Sequence, residues 1–206
     1  SSVAFTLVFM MNALPNLFGV GGGSLISRLM GEKKDDEAGG VASFSFYMTL
    51  ICAAVYSVLV LAFMDPLLRL LGATDGSIVF ARQYAFWVIV IGAVPATLSM
   101  TMAQLLRSEG FAGKASFGLG FGGVLNIILD PVFMFLILDK GEEVMGAAIA
   151  TMISNVAVLI YFIVNYIVIK NKTVISLNPR KARLEARHVK AVFAVGIPSA
   201  LGSLLA

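Results

Sequence analysis

Six stretches of this chain run almost free of charge, and five of them are long enough to cross a bilayer. Ser1–Ser27, Ala38–Met64, Gln83–Leu106 and Val144–Ile169 carry no formal charge, and Ala115–Leu138 carries one, Asp130. Ala191–Ala206 is also uncharged but has only 16 residues, short of a full span. About 20 apolar residues cover a ~30 Å hydrocarbon core as a helix. No water is available there to satisfy a loop or an open strand edge, so such runs fold as helices. The chain is 59% hydrophobic and 13% charged, whereas soluble domains are about 25% charged. With a mean hydropathy of +0.92, an all-α, polytopic helical membrane bundle is expected.

Several function classes fall away on composition. Cys52 is the single cysteine, so no disulfide forms within the chain, and with one histidine, His188, no zinc site can be built. No phosphate-cradling glycine loop or dinucleotide fingerprint is present. No Ser, His or Cys constellation has catalytic spacing, so the chain does not read as an enzyme, and no cofactor is implied. A basic stretch lies at 170–190, but beside six hydrophobic runs it reads as facing lipid headgroups, not nucleic acid.

The runs are punctuated. Pro15 should kink the first, where Asn12 and Asn16 are candidates for lining a cavity, and Gly19, Gly21, Gly22 and Gly23 allow close backbone approach. Arg28–Glu37 reads as a solvated turn of mixed charge, with Gly31 as a helix stop. Pro95 should kink the third run, and Trp87 falls near its start, where an interfacial ring is expected. Gly118, Gly120, Gly122 and Gly123 suggest tight packing of the fourth run against another helix. Thr151 and Asn155 are polar positions in the fifth. Lys170–Lys190 reads as a connection with a helix lying on the membrane surface and His188 on its solvated face.

Asp130 is the residue that demands an explanation. A carboxylate within a span costs about 2.5–3.5 kcal/mol on insertion scales, so a proton, a cation, a basic partner or water must offset it. Asn126 lies one turn earlier on nearly the same face. Pro131 follows, and its missing N–H leaves the carbonyl of Ile127 without its usual partner. Hard oxygen donors gathered in one turn suit Na+ or an exchangeable proton. The fourth and fifth runs are joined by the short turn Asp139–Glu143, so they are antiparallel. Asp130 is nine residues before Asp139 and Thr151 is eight after Glu143. At ~1.5 Å per residue they should lie at similar depth.

Alternate loops divide the basic residues unequally. Twelve of the fifteen lie in the loops around 28–37, 107–114 and 170–190, and three (Arg69, Arg82, Lys140) lie in the other set. The positive-inside rule places the first set in the cytoplasm of a cell-membrane protein.

Five segments, in order, resemble the multidrug and toxic compound extrusion (MATE) family. They are Gly19–Ala38, centred on Ser27-Arg28-Leu29-Met30-Gly31-Glu32; Asp65–Ala73; Leu106–Gly110; Leu125–Pro131; and Gly146–Thr151. The resemblance implies a twelve-helix transporter of two six-helix lobes. Residues 1–170 would be helices two to six of the N-terminal lobe, 171–190 the cytoplasmic inter-lobe linker, and 191–206 the start of helix seven. Helix one and the C-terminal lobe would lie elsewhere in a longer protein. The implied activity is export of organic cations and amphipathic drugs in antiport with Na+ or H+. The implied coupling residues are Asn126, Asp130 and Thr151, with Asp130 and Asn126 as the ligands of any Na+. A lipid-linked oligosaccharide flippase of the same superfamily and a non-transporting membrane scaffold are the competing readings.

Overall fold

The computed structural model describes residues 2–182 and 184–206; Arg183, counted above among the basic residues, lies outside them. Nine α-helices are joined by short turns and by three segments of wider, π-type winding. They are α1 (Ser2–Met11), α2 (Gly21–Gly31), α3 (Asp35–Ala62), α4 (Met64–Leu70), α5 (Ile78–Ala85), α6 (Ala93–Glu109), α7 (Ala112–Pro131), α8 (Glu143–Val168) and α9 (Ala186–Leu205). Five continuous helical stretches are long and apolar enough to cross a membrane: Val3–Gly31, α3, Ala112–Ile137, α8 and α9. A sixth is formed by Ile78–Ile91 and Ala93–Glu109, bent by 52°. The protein is a multi-pass helical membrane bundle.

The prolines account for two of the π-wound segments. Pro15 opens the segment Pro15–Val20 and Pro131 immediately precedes Val132–Ile137. A proline supplies no N–H to the ladder and pushes away the carbonyl four residues back, so the next turn winds wider. The third segment, Phe86–Ile91, ends at Gly92, and the 52° bend falls there, three residues before Pro95. Its loosened ladder is held from α3, where the Ser57 hydroxyl donates to the carbonyls of Ile89 and Val90.

The other termini follow local chemistry. Asp35, Asp36 and Glu37 occupy the first turn of α3, where negative charge offsets the helix dipole. Gly110 closes α6 at φ +104°, a conformation that glycine adopts without penalty.

The buried side chains form two clusters. One surrounds Phe18, Ile26, Val41, Leu105 and Phe162, toward the end that carries most of the basic loops. The other surrounds Val60, Leu68, Ala85, Ile89 and Ala148, toward the opposite end. Ile51, Val55 and Val58 of α3 and Ile127 and Ile128 of α7 project outward. In lipid these faces need no protein cover, because acyl chains are as apolar as they are.

The glycines divide by face. A Cβ at Gly118 would come within 2.6 Å of Tyr161 and Phe162, and one at Gly122 within 2.3 Å of Val158, so both seat α7 against α8. Gly120 and Gly123 have nothing within 4 Å. The packing role expected for all four belongs to two, because residues four apart share a helix face and their odd neighbours do not.

Two expectations for the basic segment are corrected. No surface helix forms among its described residues. Instead the strand-like stretch after α8 is strapped to the bundle: Glu109 accepts from the Thr173 hydroxyl and the Val174 amide, both at 2.5 Å. Ser43 donates to the Asn178 carbonyl and Tyr47 to that of Leu177, also at 2.5 Å. A single short 3₁₀ turn, Pro179–Ala182, follows. The boundary expected at residue 191 falls inside α9, which starts at Ala186 and reaches 20 residues. Its first turn is charged, so hydropathy hid it. That turn is held by Glu37, and His188 is 7% exposed, not solvated.

Candidate functional site

The short turn after Val132–Ile137 folds α8 back along α7. Asn126 and Thr151 thereby meet across the helix pair. Asn126 Nδ2 donates to Thr151 Oγ1 at 3.2 Å, and the Thr151 hydroxyl donates in turn to the Ala147 carbonyl at 3.0 Å. The threonine's one proton goes to its own helix, so its oxygen is left to accept from the amide. That fixes which end of the Asn126 side chain faces α8 and leaves the amide oxygen free to serve another partner.

Asp130 lies one turn further along α7, at half-buried depth. Its Oδ1 is closed off from solvent and has no hydrogen-bond partner among the described residues. A buried, unpartnered carboxylate oxygen is costly, which fits a group whose partner is an exchangeable ion or proton. Asp130 donates nothing to Asn126 or Thr151; the three share a neighbourhood, but only the Asn126–Thr151 bond is made. Among the described residues no three His, Cys, Asp or Glu side chains gather as a transition-metal site. An ion here would have to rely on one carboxylate, amide and hydroxyl oxygens and backbone carbonyls, which suits a hard monovalent cation.

One neighbour was not singled out from sequence. Tyr84, at the end of α5, brings its phenol within electrostatic reach of Asp130. The signal for it was available: the third run begins at the same end of the bundle at which the Asp130 run finishes, so its first polar residues share that depth.

The other candidates fall elsewhere. Pro131 lies directly beside Asp130, at the end of α7. Asn16 is committed on both sides, donating to the Asn12 carbonyl at 3.0 Å and accepting from Ser199 of α9 at 3.3 Å. Asn12 is half-buried one turn before it. Asn155 is half-buried on α8, one turn beyond Thr151. Pro15 and Pro95 lie in or near the breaks of their own helices, away from the carboxylate in sequence and in element.

The MatE family model matches residues 1–132. The multidrug export protein MepA of Staphylococcus aureus (strain NCTC 8325 / PS 47) is 35% identical over 207 residues, covering 100% of this chain and 45% of that protein. Two solved structures superpose at 30% sequence identity over 98% of this chain. One is described as the inward-facing conformation of a multidrug resistance MATE family transporter of the MOP superfamily (TM-score 0.88, 45% of that chain). The other is described as the outward-facing conformation of such a transporter (TM-score 0.87, 44% of that chain). The chain spans less than half the length of the relatives it matches, as one lobe of a two-lobe transporter would. With its helices, its order of segments and its fold all in agreement, this chain belongs to the MATE family of membrane transporters.

Proposed function

We propose that the complete protein is a secondary active exporter of organic cations and amphipathic drugs, driven by Na+ or H+ entry, and that Asp130 is the coupling site. In this reading residues 1–170 are the N-terminal lobe less its first helix. The stretch up to Glu185 is the cytoplasmic linker, and α9 opens the second lobe. The basic loops 28–37, 107–114 and 170–190 face the cytoplasm of a cell-membrane protein. The similarity to MepA, named as a multidrug export protein, supports the substrate class.

The observation that carries the reading is the unpartnered Asp130 Oδ1 beside an Asn126 amide held in place by Thr151. A cation or proton at Asp130 removes the cost of a bare buried carboxylate. Loading and unloading therefore alter which arrangement of the helices is stable, and a few kcal/mol of differential binding suffices to move such an equilibrium. Pro131 places the loosened turn Val132–Ile137 directly beside that charge, so the end of the helix can respond to it.

The test is efflux of a fluorescent organic cation from liposomes holding the full-length protein, under an imposed Na+ gradient and then an imposed H+ gradient. One gradient should drive efflux in wild type, and Asp130→Asn should abolish the coupling. A mutant that couples as well as wild type would place the coupling acid elsewhere.

A further inference from the structure

The seam between α9 and the rest of the bundle has a construction unlike any other contact in the chain. Gly21 and Gly196 face one another across it. A Cβ at Gly196 would come within 2.1 Å of the Leu17 carbonyl oxygen. One at Gly21 would come within 2.3 Å of the Val192 carbonyl oxygen and 3.0 Å of the Gly196 backbone. Gly21 has ordinary right-handed helical angles (φ −62°, ψ −49°), so no turn requires glycine there. Close approach of the two backbones is the remaining reason for a residue that weakens a helix by about 1 kcal/mol relative to alanine.

Two polar contacts flank this crossing. Toward the middle of the bundle, Ser199 Oγ donates to Asn16 Oδ1 at 3.3 Å. At the basic end, Glu37 Oε1 lies 3.2 Å from Arg187 Nη2 and 3.5 Å from His188 Nε2, so one carboxylate of α3 holds two successive residues of α9. One ring pair, Phe18–Phe193, packs edge to face at 5.8 Å between centroids. Elsewhere helices interlock by side chains, as at Tyr161 and Phe162 over Gly118. A seam of flush backbone, with a charged clasp at the water-facing end, can part without repacking a core, since water can replace the clasp's partners.

We propose that this seam is the cytoplasmic gate of the transporter, shut in the arrangement seen here and latched by Glu37. The proposal rests on reading α9 as the first helix of the second lobe. It assigns Glu37, Gly21 and Gly196 roles in opening and closing that the ion site does not explain. Related transporters have been captured facing inward and facing outward, so a contact between lobes at one end must be made in one state and broken in the other.

The experiment uses the full-length transporter in liposomes, in a cysteine-free background that includes Cys52→Ser, with one cysteine introduced at Ser199. A membrane-impermeant maleimide is applied from the cytoplasmic face. Labelling should be slow in this background. It should rise several-fold with Glu37→Gln, which unlatches the seam, and with Gly21→Ala, whose methyl must push α9 away because it meets backbone atoms that cannot step aside. Joining Asn16→Cys to Ser199→Cys with a short bifunctional thiol reagent should stop efflux, and releasing the link should restore it. Unchanged labelling in Glu37→Gln, or normal efflux by the cross-linked protein, overturns the gate. The labelling readout needs neither substrate nor coupling ion. A wild type that exports no organic cation under either gradient would defeat the proposed function while leaving the gate open to this test.

Discussion

Asn126 and Thr151, twenty-five residues apart, are joined by a 3.2 Å hydrogen bond that ties the two helices flanking Asp130. The bond turns a polar amide within the bundle into a fixed group with a defined orientation. Thr151→Ala should free that amide. Interhelical bonds of this kind contribute about 0.6–1.7 kcal/mol, so the apparent affinity for the coupling ion should fall roughly 3- to 20-fold. Thr151→Ser, which keeps the oxygen, should retain most of it. Ion-concentration dependence of efflux measures both, and equal losses in the two variants would assign Thr151 a packing role only.

The four glycines of α7 should separate cleanly by stability. Gly118→Ala and Gly122→Ala insert a methyl into Tyr161, Phe162 or Val158, and overpacking of this kind costs about 1–3 kcal/mol. Gly120→Ala and Gly123→Ala meet nothing and should be neutral or slightly stabilising, as alanine favours the helix. Thermal unfolding of the purified protein in detergent gives the comparison. Four equal shifts would show that α7 does not meet α8 on the Gly118–Gly122 face.

Glu109→Ala should release the linker. The carboxylate accepts from Thr173 and Val174, and hydrogen bonds to a charged group contribute about 1.5–3 kcal/mol each. Limited trypsin digestion should then cut after Lys170 or Lys172 much faster than in wild type, with the helices themselves still protected. Unchanged cleavage would mean that Ser43 and Tyr47 hold the strap without it.

The opposite end of the bundle carries a pH-dependent clip. Asp65 lies in α4, and Arg82 reaches it with two hydrogen bonds of 3.0 Å. That hydrogen bonding, aided by the charge of Arg82, holds the Asp65 carboxyl below its ordinary range. A depressed carboxyl contributes its stability in full above the unfolded-state value of about 3.9. The contribution is lost as pH falls through the lower folded-state value. Asp65→Asn should therefore lower the unfolding temperature slightly at neutral pH and make no difference in strong acid. The pair is exposed, so the effect should be small and should shrink further in high salt.

Ser57→Ala tests the loosened turn of the bent span. The hydroxyl serves the carbonyls of Ile89 and Val90 from α3. Its removal leaves them unpaired in a buried place, at a cost of about 1–3 kcal/mol. Ser57→Thr should be tolerated better than Ser57→Ala in the same unfolding assay. The reverse order would show that space at this site, not the hydrogen bond, is limiting.

The membrane class, the positions of the spans and the importance of Asp130 were all legible in the chain, for a simple reason. An apolar solvent penalises every charge and every unpaired backbone group, so where charges are absent and where one persists are strong statements in one dimension. The similar depth of Asp130 and Thr151 also followed, because a short turn and a fixed rise per residue leave little freedom. Depth, however, is not azimuth. Which face of α7 meets α8, and therefore that Asn126 and not Asp130 bonds Thr151, depended on how Gly118 and Gly122 seat against Tyr161, Phe162 and Val158. The arrival of Tyr84 near the carboxylate depended on the packing of a third helix.

The basic segment shows the same division from the other side. Its charge and its place between hydrophobic runs identified a connection outside the membrane. Hydropathy could not reveal that α9 begins inside it, since a helix end in water needs no apolar residues. Nor could it reveal that His188 would be buried, because its partner Glu37 is 151 positions away in the chain. The sequence by itself determined which residues lie in the bilayer and which single charge is held there. The tertiary structure alone decided which of those residues touch, because contact between helices is set by the rotation and approach of whole packed faces, and that information is spread over every helix at once.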